Sequence, residues 1–467
     1  MSEIHTPVAS ELATDTSIEV LFEQLLELEP KPIANFVPTN AAEQRSLFLS
    51  GEIRNPNHEY AKLSNIDFEA NRRSIQKIGD ELVAHPDIPE KYEGIDGPYG
   101  QFVQNYVNKT AFMETSNRFN TAETPEEKDA ARADFMKTNI ELFGEPDQAT
   151  YRSLLSEKLA KITTKELSAS GSAIRQELLD LVGNIDTSLS ERFRPSAETM
   201  EWTKTVVESL YGSLLQHVPD QEKFIDQDIK SIFEDILADE FGDSAKGWEV
   251  IIDDAQSINV KSAEKKLVIP HGREVNLKTM RGLVVHEIGV HFMRSVMGEQ
   301  TDLLPFKLGL SQYYDTEEGT GSVVEQALEG EYVEAGADHY ITAGLAYYDK
   351  KDFRDVYEIK WRLALLSGTK GDPSDEAIAK AQAAAYGSTM RIMRGTDELP
   401  WFKDLSYYNG SAEVWKHLES IVGDDLEFTF VLLGKGNPAN TAHKRIMLET
   451  ATPSRDDDPT EEEAAKV

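Results

Sequence analysis

Residues 283–292 read Leu283-Val284-Val285-His286-Glu287-Ile288-Gly289-Val290-His291-Phe292, two imidazoles and a carboxylate set inside an apolar run. A run of this kind packs in a core, and glutamate is rarely buried there without a partner or a task. The spacing differs from the H-E-x-x-H of thermolysin-type sites, whose histidines sit four apart on one helix face. Five apart, the two rings of an ideal α-helix diverge by about 140°. One π-type turn, which inserts a residue into the hydrogen-bond ladder, returns positions i and i+5 to one face. Gly289 lies inside the interval, where a missing side chain eases such a distortion. The sequence therefore predicts a bulged helix presenting His286 and His291 to one divalent ion, with Glu287 beside them as general base for a water.

Two histidines are too few. A hydrolytic site of this type takes a third protein ligand and leaves a further position for water. Downstream of Gly298-Glu299-Gln300 a long irregular stretch leads to Asp315-Thr316-Glu317-Glu318-Gly319, where a helix is expected to begin. Loops of such length usually carry function. Thr316 or Asp315 suits the N-cap, and Glu317 or Glu318 then falls in the first turn. From the residues alone both glutamates stay open as the third ligand, together with Glu325, Glu329, Glu331 and His339.

The chain has 467 residues, no cysteine and a formal charge of −35. Without thiols, a metal here must take imidazole and carboxylate ligands, which points to a catalytic site rather than a zinc finger. The charge argues against nucleic acid as a partner, since such binding depends on basic residues neutralising phosphates. The start, Met1-Ser2-Glu3-Ile4-His5, has neither a basic opening nor an apolar run, and no span reaches membrane length, so the expectation is a cytoplasmic protein without membrane contact.

The expected organisation is a disordered N-terminus at 1–17, an N-terminal helical region at 18–200 packed on the core, a core at 201–450 and an acidic disordered tail at 451–467. Ser168-Ala169-Ser170-Gly171-Ser172 reads as a loop. Trp248–Ile252 and Lys266–Ile269 are short, β-branched and bounded by turn residues, and so read as paired strands. Their edge is a candidate for pairing with an extended peptide. Helices are expected at 321–347, 352–367 and 374–393. The fold class is α+β, mostly α-helical, with a small sheet next to the metal helix.

The H-E-x-x-x-H run, Arg294 three residues on and the Thr316-Glu317-Glu318-Gly319 helix start together resemble the microtubule-associated tyrosine carboxypeptidases and their bacterial relatives, labelled flavohemoglobin-expression-modulating QEGLA-motif proteins. The likeness runs on through Ala384-Ala385-Tyr386, Arg391-Ile392-Met393-Arg394-Gly395, the Phe402–Gly410 stretch and Gly434-Lys435, with Pro38-Thr39-Asn40 near the start. It spans about residues 20 to 450 and is densest between 280 and 435. The resemblance implies a zincin-like core with gluzincin-type ligation: a zinc ion on His286, His291 and Glu318, with Glu287 as catalytic base. It also implies peptide hydrolysis, as a carboxypeptidase acting on a peptide or protein. Where those relatives have Gln-Glu-Gly-Leu-Ala, this chain has Glu317-Glu318-Gly319-Thr320-Gly321, which keeps the ligand and alters its packing.

A carboxypeptidase needs a fixed cation for the terminal carboxylate, best met by a guanidinium. Arg391, Arg394 and Lys403 are the candidates, and Tyr407 or Tyr408 could steady an oxyanion. The strongly negative charge disfavours acidic protein tails, the substrate of the eukaryotic relatives, unless a local basic groove intervenes. The competing reading is a metal-binding regulatory protein without catalysis, which would keep the ligands and have no need of Glu287.

Overall fold

The computed structural model describes residues 16–183, 189–255, 257–368, 372–438 and 440–451. The expectations for residues 1–15 and 452–467 lie outside these. The described chain is mostly helical with a small sheet, as the patterning predicts.

Among the described residues five strands form two small sheets. β1 (Lys223–Ile225) pairs antiparallel with β5 (Glu274–Asn276). β2 (Glu249–Asp253) lies parallel to β4 (Lys266–Pro270), and β3 (Asn259–Lys261) completes the order β2-β4-β3. The two predicted strands thus pair, and β4 takes the centre because it is the apolar one: Leu267, Val268 and Ile269 are all buried. β3 was not foreseen; at three residues it is too short to show an alternating pattern.

Directly after β5 the chain enters one helix over 277–299. Asn276 caps it, accepting from the backbone N–H of Thr279 at 2.9 Å. Its Val284, Val285, Ile288, Val290 and Phe292 are fully buried and share a core with both sheets and with the helices Ala197–Gln216, Tyr314–Glu329 and Ser406–Ser420. Three further cores lie outside it. In one, Phe48 and Tyr151 through Val182 pack with Tyr340 through Leu405; in another, Ile18 through Tyr106 pack with Leu303, Phe306, Leu310, Ile446 and Met447. The helices before residue 183 are therefore clamped between segments that follow the metal helix.

Three boundaries depart from expectation, the first being the helix that carries Glu318, which begins at Tyr314 with Tyr313 at its N-cap and so takes Asp315 and Thr316 inside it. Ser168–Ser172 is no loop: Ser168 is the N-cap of the helix Ala169–Val182, its hydroxyl accepting from Gly171 N at 3.1 Å. Serine and glycine that looked like linker composition are a cap and a first turn. The helix expected at 321–347 is two, Tyr314–Glu329 and Ala337–Tyr347, parted by Gly330 and Gly336, both at φ +67°. Each glycine takes a left-handed conformation that a helix interior excludes.

The tightest crossing is between Tyr314–Glu329 and Ser406–Ser420. A methyl on Gly410 would lie 1.8 Å from the Asp315 carbonyl oxygen, and one on Gly319 would lie 2.2 Å from the Gly410 carbonyl carbon. Two backbones touch where two glycines meet. Gly410→Ala is accordingly expected to cost about 1–3 kcal/mol, since only a backbone shift relieves the overlap. Urea unfolding should show a lower midpoint at unchanged slope; a midpoint equal to wild type would disprove the packing argument.

Candidate metal centre

Residues 284–292 adopt the π-helical turn that the histidine spacing demands. It brings His286 Nε2 to 3.0 Å from His291 Nε2, the rings 4.8 Å apart between centroids and inclined at 68°. Gly289 has a more specific role than loosening the ladder. Its absent side chain leaves room for the Tyr211 ring, which a Cβ would approach to 2.8 Å, and the Tyr211 hydroxyl donates to the Gly289 carbonyl at 3.0 Å. Tyr211, from the helix Ala197–Gln216, thus fills the space beside the turn and satisfies one of its carbonyls.

Glu318 completes a set with the two histidines in which one ligand atom from each lies within 4.8 Å of the others. It sits in the helix Tyr314–Glu329, and Glu317 beside it faces a different way. Two neighbouring residues on a helix point about 100° apart, so only one of them can meet the ion. The His286, His291 and Glu318 donors suit a divalent cation. Tetrahedral bonds of about 2.0–2.1 Å would set two nitrogens about 3.3 Å apart, close to the observed spacing. This buried group can hold a metal ion.

Both histidines are held at their other nitrogen. His286 Nδ1 lies 2.6 Å from Glu325 Oε1, and His291 Nδ1 lies 2.9 Å from Glu317 Oε1. Burial pulls the His286 pKa down, but the Glu325 hydrogen bond and charge outweigh it and carry it to about 9. Of the remaining acids on this stretch, Glu329 pairs with Lys278 at 2.8 Å, away from the cluster. His339 is not a ligand; its ring lies 6.0 Å from that of Tyr407.

Glu287 is 7% exposed, and its Oε2 has no hydrogen-bond partner. Burial raises its pKa, against the pull of His291 and His286. A buried carboxylate oxygen without a partner is costly and wants explanation. A cation held by the neighbouring histidines would supply one.

Gly321 explains the altered packing after the ligand. A Cβ there would lie 2.5 Å from His286 Nε2, so the imidazole rests directly on the glycine backbone.

The cationic candidates gather around Asp404. Arg391 donates to it from Nε at 2.6 Å and Nη2 at 3.0 Å, and its Nη2 reaches the Tyr407 hydroxyl at 3.4 Å. Lys403 lies 3.7 Å from Asp404 and donates to the Tyr314 hydroxyl, with its ammonium 4.2 Å from that ring's centroid. Burial depresses the Lys403 pKa, while Asp404 and Glu318 pull it back. The Glu318 charge acts on both Tyr314 and Lys403, favouring the protonated form of each, so this cluster lies beside the metal group. Arg394 packs 4.5 Å over Trp401 with its Nε unpartnered, and burial lowers its pKa. Tyr408 stands apart from the others, its ring 4.9 Å from that of Tyr340.

Sequence reading missed Tyr314 and the outer roles of Glu317, Glu325 and Lys435. An aromatic four residues before a ligand, at helical spacing, was the available signal for Tyr314.

Gly321→Ala is expected to push the His286 imidazole off the shared point and weaken zinc affinity at least about tenfold, with helix content unchanged. Competition with a chromophoric chelator measures this, and unaltered affinity would refute the steric argument. Comparison with known proteins gives no match: no family model, curated protein or solved structure matches this chain.

Proposed function

We propose that the protein is a zinc-dependent peptidase with a zincin-like core and gluzincin-type ligation, acting as a carboxypeptidase on a peptide or protein. The carrying observation is the convergence of His286, His291 and Glu318 on one point, with the unpartnered Glu287 Oε2 buried at the same turn. Zinc, when bound there, supplies Lewis acidity and brings the pKa of a coordinated water toward about 7. Cobalt, nickel or manganese would also accept this donor set.

Glu287 is the general base. Its raised pKa suits a group that takes a proton from water and returns it to the leaving amine. A regulatory protein that only stored metal would have no use for this carboxylate. Tyr407, held by Arg391, is the better placed of the two tyrosines to steady the developing oxyanion. Among the described residues β3 pairs with β4 on one side alone, and its other edge is the one an extended peptide would join.

For the terminal carboxylate, Arg394 is favoured over its neighbours. Arg391 already spends both faces of its fork on Asp404, and Lys403 is engaged by Tyr314 and Asp404. Arg394 keeps an unpartnered Nε beside them, in electrostatic reach of Asp404, Arg391, Tyr314 and Tyr407. This local basic group operates inside a protein of net charge −35, because salt screens the distant acids over about 8 Å. Among the described residues no helix is long and apolar enough to cross a membrane.

Glu287→Gln decides the reading. With zinc stoichiometry preserved, hydrolysis of a C-terminally varied peptide library should fall by about 10²–10⁴-fold, the range lost with a general base. Full retention of cleavage would remove Glu287 from the mechanism. Cleavage at internal bonds alone would remove the carboxypeptidase assignment.

A further inference from the structure

We propose that Glu317 is the positioning residue of the metal centre: it fixes the tautomer and aim of His291, and Arg294 and Lys435 lock its carboxylate in place for that purpose. This rests on the metal-site reading above and extends it to residues that touch neither metal nor substrate.

An imidazole offers one lone pair only when its other nitrogen carries the proton. His286 and His291 face each other through Nε2 at 3.0 Å, so both must be protonated at Nδ1 if both are to serve as ligands. Each Nδ1 meets a carboxylate, as an acceptor of that proton requires, but the two carboxylates differ. The Glu325 side chain is 40% exposed and has only His286 as a partner of this kind. The Glu317 side chain is 4% exposed and is caged.

The cage draws on three distant parts of the chain. Glu317 Oε1 meets both His291 Nδ1 and, at 3.1 Å, Lys435 Nζ, while Oε2 accepts from Arg294 Nη1. Arg294 is 0% exposed and is itself pinned, Nε donating to the Gly434 carbonyl at 3.0 Å and Nη2 to that of Gly436. Lys435 Nζ donates to Ser262 Oγ at 3.0 Å, just past the end of β3. Ser262 and Ser295 share a hydrogen bond at 2.6 Å, and Ser295 Oγ donates back to the His291 carbonyl at 3.0 Å. The ring and the backbone of His291 are thus both anchored in one network.

Two cations around one carboxylate exceed what a passive ion pair needs. Their donors take up the carboxylate's remaining lone pairs and fix its orientation, so the oxygen facing His291 Nδ1 serves as an acceptor. A neutral amide there could turn its NH₂ toward Nδ1 and stabilise the opposite tautomer, which puts a proton on the ligand nitrogen. Glu325, exposed and singly bonded, can be replaced by water as an acceptor; Glu317 cannot.

The test compares wild type, Glu317→Gln and Glu325→Gln by chelator competition for zinc and by long-range ¹⁵N–¹H NMR of histidine-labelled, zinc-free protein. Glu317→Gln should lower zinc affinity by about 10- to 100-fold and move His291 from the Nδ1–H toward the Nε2–H form, with Glu325→Gln the milder change. Zinc affinity of Glu317→Gln within about twofold of wild type, or an unchanged His291 tautomer, would overturn the proposal. If Glu317→Gln fails to fold by circular dichroism, Lys435→Met decides instead: weakened zinc binding supports the cage, and unchanged binding overturns it. Wild type that takes up no zinc would sink the metal-site reading itself, and the NMR tautomer in Glu317→Gln then judges the proposal alone.

Discussion

Two imidazole nitrogens 3.0 Å apart define a spacing that one shared proton or one shared cation satisfies. Much of what surrounds the helix over 277–299 serves to keep that arrangement in place. The π-turn supplies the alignment, and Tyr211 fills the hollow beside Gly289 and takes up its carbonyl. Gly321 gives the His286 ring a flat floor, and the carboxylates of Glu325 and Glu317 sit at the two outer nitrogens. The two rings are thus held in one geometry by packing beneath them and by hydrogen bonds on their outer sides.

The packing that holds it is unusually close where the helix Tyr314–Glu329 is concerned. One side of this helix meets Ser406–Ser420 through Gly319 and Gly410 at backbone contact, and another side lies against the His286 ring through Gly321. A helix wedged on two sides by glycine contacts has little freedom to slide or roll, since interiors resist sub-ångström change. Glu318 inherits that rigidity. Its carboxylate lies in electrostatic reach of Tyr314 and Lys403, and Lys403 in turn links Tyr314 to Asp404 and Arg391. The group that can hold a metal and the basic group beside it are therefore one connected polar body within the apolar cores.

What was legible in the sequence follows the range of the interactions. His286, Glu287 and His291 lie within six residues, so their chemistry and the need for a π-turn could be derived from spacing alone. The choice of Glu318 over Glu317 could not, because both fall in one helical turn and only the angle at which that helix meets its neighbour separates them. Resemblance favoured Glu318, and the geometry places it in the ligand group. The paired strands β2 and β4 were readable from β-branched runs; β3 and the β1–β5 pair, three residues each, were not. Ser168–Ser172 misled because capping residues and linker residues have the same composition. Lys435 and Gly434 were marked in the sequence only as part of a resemblance. Their role depends on contacts spanning well over one hundred residues, which no local pattern encodes.

The Arg294–Gly434 hydrogen bond joins residues 140 positions apart. While a ribosome is still making the chain, the helix bearing both histidines emerges long before the turn at 434–436 that steadies Arg294. Early nascent chains hence carry the H-E-x-x-x-H run without its buttress, and the packing around it can close only after the turn at 434–436 has been made.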